Sequence, residues 1–390
     1  MAYKFFLFFL LNLGLLHAQV EYSLEEKVGQ LFMISFEGEE ATEELKEIVE
    51  TAHIGGVVYF NFLNGELSRS QVKSLSRQIQ TFHGIPRWIA VDQEGGRVQR
   101  LRNGFSTIPD PSFWSFLKPD ALVSMGEQIG KELKEAGICV NFSPVLDLTN
   151  PKSNVLQSRT ISSSADVVIT VGRSVLLGFT KQGLIGVLKH FPGHGVVDED
   201  SHTEVPVTEK KFSMLLKEDL APFICLSPDV DAIMTAHMIV KDFDPKNMIS
   251  FSSKWINFIR KSMNFSGLIF TDSLVMDAVK KQYDSLETAA ICAIEAGADI
   301  LLFGGETPVG SKKTLPFSRI KEIYETLLVK ARKDPEFLKR IEESFSRSLY
   351  YKNKAGILPS ACLQKNSFAK QNDKKGCVQK KIKEEPLFKL

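Results

Sequence analysis

Cysteine is scarce in this chain, neither sign of charge predominates, and long apolar runs are nearly missing. The 390 residues include five cysteines, Cys139, Cys225, Cys292, Cys362 and Cys377, odd in number and widely spaced. That pattern argues against a disulfide-stapled scaffold, and with no Cys-x-x-Cys pair a cysteine zinc site has no basis. With 48 basic and 47 acidic residues the formal charge is +1. A dedicated nucleic-acid binder needs a basic surface for phosphate contacts, so that class is set aside. No Gly-x-Gly-x-x-Gly opens a helix after the first strand, which weakens a dinucleotide-binding reading. Hydrophobic residues make up 43%, too rich for a disordered chain and ordinary for a folded one.

The one sustained apolar stretch, Phe5–Leu16, is broken only by Asn12 and preceded by Lys4. As a helix it would be about 18 Å long, short of a bilayer core of about 30 Å. These proportions predict an export signal over residues 1–18 with cleavage after Ala18. Leu16 is bulky for the −3 position, which leaves an uncleaved anchor or a buried first helix as alternatives. Export implies a periplasmic or secreted protein. At the other end, Lys365 to Leu390 carry eight lysines against three acidic residues with little apolar periodicity. Residues 358–390 therefore read as a basic, solvated tail, or as a weak electrostatic tether to an anionic wall polymer or membrane surface.

Between these ends, residues 19–357 alternate short apolar runs with longer amphipathic ones. The short runs are Gln30–Phe36, Gly55–Phe60, Trp88–Asp92, Ile138–Phe142, Gly186–His190, Ala232–His237, Gly267–Thr271 and Asp299–Phe303. They are continuous rather than alternating, the mark of strands buried on both faces of a parallel sheet. Helical stretches separate them, at Glu43–Thr51, Leu67–Phe82, Ala121–Glu135, Ala165–Gln182, Lys210–Leu216, Lys254–Ser262 and Leu286–Ala296. Two more, near Phe317–Lys330 and Asp334–Leu349, close the unit. Ser164, Thr208 and Ser285 are candidate N-caps, and Gly137, Gly183 and Gly297 are candidate helix stops. Eight strand–helix units predict an α/β fold, a (β/α)8 TIM barrel forming a single catalytic domain.

In such a barrel the reacting groups sit at the C-terminal ends of the strands. Polar residues collect there. Strand three ends in Asp92, Glu94, Arg97 and Arg100, and strand four runs on to Asp147. Strand five ends in Lys189, His190 and His194 and continues to Asp198, Asp200 and His202, while His237 and Asp272 end strands six and seven. One such group is often a cap or a salt bridge. Five strand ends together are hard to attribute to packing, because each desolvated charge costs several kcal/mol unless something compensates.

The motifs KHFPGHG, DSH, DQEGGRVQRL and FTDSLVM, each at the matching strand end, resemble glycoside hydrolase family 3 over Leu24 to Gly356. More narrowly they are similar to its bacterial, single-barrel β-N-acetylglucosaminidases. The resemblance implies retaining chemistry with Asp272 as nucleophile, kept ionised by neighbouring positive charge. It implies His202 as acid/base with Asp200 as its partner, and Asp92, Arg100, Arg159, Lys189 and His190 as ligands of the sugar hydroxyls. A histidine suits proton transfer near neutral pH, and a bonded carboxylate fixes its tautomer. Arg97 and His194 are expected to serve structure, His237 either structure or site lining, and Phe191–Pro192 is expected to be cis. Relatives commonly carry Asp-Thr after GHG, where this chain has Val196 and Val197.

The implied activity is hydrolysis of terminal β-linked GlcNAc from peptidoglycan fragments, without metal or organic cofactor, by a monomer acting on small carbohydrates. Two alternatives stand beside it. A neutral histidine does not repel phosphate, so the same site could run as a phosphorylase. A catalytically idle barrel that binds wall glycans is the other.

Overall fold

A computed structural model describes residues 21–358, apart from 154–155, 199–200, 202–203 and 308–309. The expected export signal and basic tail lie outside the described residues. Eight parallel strands close into a barrel: β1 (Phe32–Ser35), β2 (Gly56–Tyr59), β3 (Trp88–Val91), β4 (Val140–Asn141), β5 (Ile185–Phe191), β6 (Ala232–Thr235), β7 (Leu268–Ser273) and β8 (Ile300–Phe303). Each strand pairs with its neighbours in sequence, and β1 closes on β8 with Phe32 opposite Leu301. All eight fall within the apolar runs of the sequence or overlap them closely. This is a (β/α)8 barrel.

The apolar continuity of the strands has a direct cause in the packing. Met33, Val58, Ala90, Val187, Met234, Phe270 and Leu302 fill the barrel interior as one cluster. Their sequence neighbours, among them Ile34, Val57, Ile89, Leu188, Ile233, Ile269 and Leu301, pack outward in a second cluster with the helices. Both faces of each strand are dry over most of its length, so both positions of the period-2 alternation are chiefly apolar.

Local signals set the helices. Ser285 accepts the N–H of Thr288 as an N-cap, and Gly297 ends that helix in the left-handed region at φ 118°. Two expected caps are not used. Ser164 precedes its helix but makes no side-chain cap bond. Thr208 ends a two-residue strand paired with Ile239–Val240, and the next helix starts at Phe212 behind Lys211. The stretch Lys254–Ser262 is an α-helix only to Asn257 and continues as a π-turn.

The last helix, Pro335–Lys354, seals the N-terminal mouth of the barrel. Ser348 accepts the indole N–H of Trp88 at 3.1 Å. Lys352, fully buried, donates to Gln30 Oε1 at 2.6 Å, the Gly55 carbonyl at 2.9 Å and the Pro86 carbonyl at 2.6 Å, all at the entries of the first three strands. Asp299, at the entry of β8, is buried against the guanidinium groups of Arg260, Arg340 and Arg347.

Two strands break register, both toward the C-terminal face. Between β5 and β6, Leu188 and Phe191 pair with Ile233 and Thr235, so β5 carries one extra residue. Between β7 and β8, Phe270 and Ser273 pair with Ile300 and Leu302, so β7 does too. Extra residues of this kind re-aim side chains and gather next to functional sites.

Candidate active site

The C-terminal mouth holds a cavity of about 300 Å³ lined by residues from seven of the eight strand ends, Asp92, Glu94, Arg159, Lys189, His190 and Asp272 among them. Lys189 and His190 are consecutive, and a regular strand would send one of them outward to the helices. The extra residue of β5 lets both face the cavity. The peptide bonds Lys189–His190 and Phe191–Pro192 are both cis.

Glu94 is the hub of one wall. Arg159 donates to it twice, Nε to Oε2 at 2.8 Å and Nη2 to Oε1 at 2.8 Å. Lys189 Nζ lies 2.6 Å from Glu94 Oε1 and 2.7 Å from Asp92 Oδ1, so the two carboxylates share one ammonium. Burial alone would raise the Glu94 pKa, but Arg159 and Lys189 outweigh it and hold this carboxyl well below the usual range. Burial likewise pulls Lys189 down, and Asp92 and Glu94 more than reverse it, so the lysine is held charged. Bidentate and shared ion pairs of this kind fix geometry as well as charge. Arg100 sits at the rim, 3.9 Å from Asp92 Oδ2, with its guanidinium 5.4 Å from the Phe60 ring and 5.2 Å from the Phe62 ring.

A second group orients His190. Asp147, with no exposed surface, accepts from His190 Nδ1 at 2.7 Å through Oδ2, which leaves Nε2 for the cavity. Its Oδ1 accepts the backbone N–H groups of His190 at 3.1 Å and His194 at 2.7 Å. Burial would raise the Asp147 pKa, but the two histidines and these bonds bring it below the ordinary value.

Asp272 stands on β7, four strands from β3 in either direction around the barrel, and so on the wall opposite Asp92 and Glu94. Its Oδ1 accepts its neighbour's N–H, Ser273, at 2.7 Å, and the Ser273 hydroxyl is tied to the Gly304 carbonyl. A carboxylate thus faces a fixed cluster of donors across a space the size of a small ring. That is the arrangement in which a carboxylate can attack a carbon whose oxygen substituents are held from the far side.

The sequence matches the glycosyl hydrolase family 3 N-terminal domain over residues 23–342. The chain belongs to glycosyl hydrolase family 3. It is therefore a glycoside hydrolase. A β-hexosaminidase of Nitrosomonas eutropha is 36% identical over 265 residues, 65% of this chain and 75% of that protein. One of Tolumonas auensis is 36% identical over 297 residues, 72% and 88% of the two chains. Among solved structures, a family 3 β-N-acetylglucosaminidase from Paenibacillus sp. aligns with TM-score 0.79 at 30% identity, over 91% of this chain and 68% of that one. NagZ of Neisseria gonorrhoeae, solved with N-trifluoroacetyl-D-glucosamine, aligns with TM-score 0.65 at 27% identity, over 82% and 98%.

Of the residues the family resemblance singles out, Asp92, Arg100, Arg159, Lys189, His190 and Asp272 line this one cavity. Asp200 and His202 lie outside the described residues. Arg97 is exposed on the turn after β3 and His237 is buried against the Ser273 carbonyl at 3.1 Å; neither lines the cavity. Of the two valines that depart from the family pattern, Val197 is buried in the core and Val196 packs against it. Asn150 reaches across to Asp198 at 2.9 Å, so Asp198 anchors this loop to the one after β4. The sequence left Glu94 and Asp147 without roles. The signals were there: Glu94 is two residues beyond Asp92, the same-face spacing of extended chain, and Asp147 follows β4 in the segment that runs beside β5.

Proposed function

We propose that the chain is a retaining exo-β-N-acetylglucosaminidase, acting on terminal β-linked GlcNAc of peptidoglycan fragments. The observation that carries this reading is the opposition of Asp272 to the Asp92–Lys189–Glu94–Arg159 cluster across one ring-sized cavity. The activities named for its relatives support the choice of GlcNAc.

In this mechanism Lys189, His190, Asp92 and Arg100 hold the hydroxyls of the terminal sugar. The Asp272 carboxylate attacks the anomeric carbon as the bond to the leaving oxygen breaks. His202 gives that oxygen its proton, and Asp200 holds the imidazole and stabilises its charge. The sugar is then an ester of Asp272. Neutral His202 next takes a proton from water, the hydroxide attacks the same carbon from the vacated face, and Asp272 is released as a carboxylate. Residues 1–18 as an export signal would put the enzyme in the periplasm or outside the cell, where wall fragments are its substrates.

Turnover of an aryl β-GlcNAc beside an aryl β-glucoside tests the reading, with a 2-fluoro or 5-fluoro sugar to trap the intermediate and mass spectrometry to find it. GlcNAc should be strongly preferred and the label should sit on Asp272. A label elsewhere sinks the nucleophile, GlcNAc 1-phosphate as the main product in phosphate buffer makes the enzyme a phosphorylase, and binding without turnover makes it a lectin-like barrel.

A further inference from the structure

Ser201 is the middle residue of Asp200-Ser201-His202, and it is held from two sides. It is buried, its Oγ lies 3.2 Å from His194 Nε2, and its carbonyl accepts the N–H of Ala278 at 3.3 Å. Ala278 belongs to the short helix that follows β7, six residues beyond Asp272. His194 hangs in turn from Asp147 by its backbone N–H at 2.7 Å. An unbroken chain of hydrogen bonds therefore runs from Asp147, beside the sugar-facing His190, to the residue between Asp200 and His202.

The protonation of His194 follows from its surroundings. Its Nδ1 is buried and has no hydrogen-bond partner among the described residues. A bare imidazole nitrogen is tolerated there better than a buried N–H with no acceptor, so the proton is assigned to Nε2, which donates to Ser201 Oγ. Charging the ring would create that orphan N–H. Burial also depresses the His194 pKa against the pull of Asp147, with His190 adding to the depression and Asp272 opposing it. His194 is a neutral strut, in contrast to the titrating role proposed for His202.

We propose that Asp147 is a positioning residue for proton transfer: through His194 it holds Ser201, the residue between the two assigned to proton transfer, while its other oxygen orients His190. One buried carboxylate thereby ties the sugar-facing His190 to Ser201. The inference rests on the assignment of His202 as acid/base. Loss of the strut at Ser201 is expected to cost about 10- to 100-fold in the step that depends on the geometry of proton transfer.

The test is a series of aryl β-GlcNAc substrates whose leaving groups range from dinitrophenol to phenol. Dinitrophenolate departs without a proton, so in kcat/KM, which reports bond cleavage and not the later attack of water, loss of acid catalysis slows only the poor leaving groups. Ser201→Ala and His194→Phe should lose about 10- to 100-fold in kcat/KM on phenyl substrates and stay within about threefold of wild type in kcat/KM on dinitrophenyl. Ser201→Thr, which keeps the hydroxyl, should restore the phenyl rate. Asp147→Asn should show the same leaving-group signature with a raised KM on every substrate. Equal slowing of good and poor leaving groups, or no slowing, in Ser201→Ala overturns the proposal, provided that His202→Ala shows the signature. If His202→Ala lacks it, the acid/base assignment and the proposal fall together. Should His194→Phe fail to fold by thermal melt, the Ser201 pair decides alone.

Discussion

Both mouths of the barrel bury charge, and they do so differently. At the N-terminal mouth the charges are closed on themselves. Asp299 meets three arginines and a backbone N–H, and Lys352 spends its donors on three oxygens at the strand entries. At the C-terminal mouth Lys189, Asp92 and Arg100 are equally constrained by each other but open onto a cavity. The first arrangement ties the last helix to the sheet. The second holds charged groups in place before any substrate arrives, so that binding does not have to order them. Buried charge alone therefore says little about function; what matters is whether its partners leave a face unspent.

Substitutions at the two mouths should separate catalysis from stability. The largest effect belongs to Asp272→Asn, expected to cut kcat by about four orders of magnitude or more on an aryl β-GlcNAc while leaving the melting temperature near that of wild type. Next is Glu94→Gln. It keeps the shape but removes the charge that Lys189 and Arg159 share, and kcat/KM should fall by about 10²- to 10³-fold, read by steady-state kinetics.

At the opposite mouth the readout changes. Asp299→Asn leaves three guanidinium groups without their carboxylate and should cost about 3–5 kcal/mol in denaturant unfolding, with turnover per folded molecule unchanged. That penalty should depend on pH. Burial opposes ionisation of Asp299, but Arg347, Arg260 and Arg340 hold its folded pKa well below the unfolded value of about 3.9. Below that unfolded value the unfolded chain binds the extra proton, so stability is fully present above about pH 5 and is lost as the pH falls toward the folded pKa. The gap between wild type and Asp299→Asn should accordingly shrink in acid; a gap constant from pH 7 to pH 3 contradicts the assignment. The smallest effect is Lys352→Met, which fits the volume but strands three acceptors, for about 1–3 kcal/mol and no change in turnover. A kinetic defect in either of these last two variants would erase the distinction between the mouths.

The barrel was legible because its physical cause is in the composition of the strands: dry on both faces, they read as unbroken apolar runs. The helix from Arg69 to Thr81 was placed two residues early, although Ser68 and Gln71 form a capping box that marks its start. Helices of one or two turns, such as Asn61–Asn64 and Leu220–Leu226, have too few residues to show a period. Thr208 looked like a cap because a threonine stands just before an amphipathic run, but the strand partner Ile239–Val240 claims that segment first. At the site, family motifs pointed to the residues facing the cavity. They did not reveal what holds those residues. Glu94 lies 95 residues from Lys189 and 65 from Arg159, and only the closed sheet brings the three together.

The extra residue in β5 has a consequence for how the gene can change. A strand with one residue too many is sensitive to the loss of a single codon. Deleting any one position from Leu188 to Phe191 would restore even pairing with β6 and either remove Lys189 or His190 or turn one of them to the helices. A scan of single-codon deletions along the chain should show narrow intolerant windows at the ends of β5 and β7, in contrast to the loops around them.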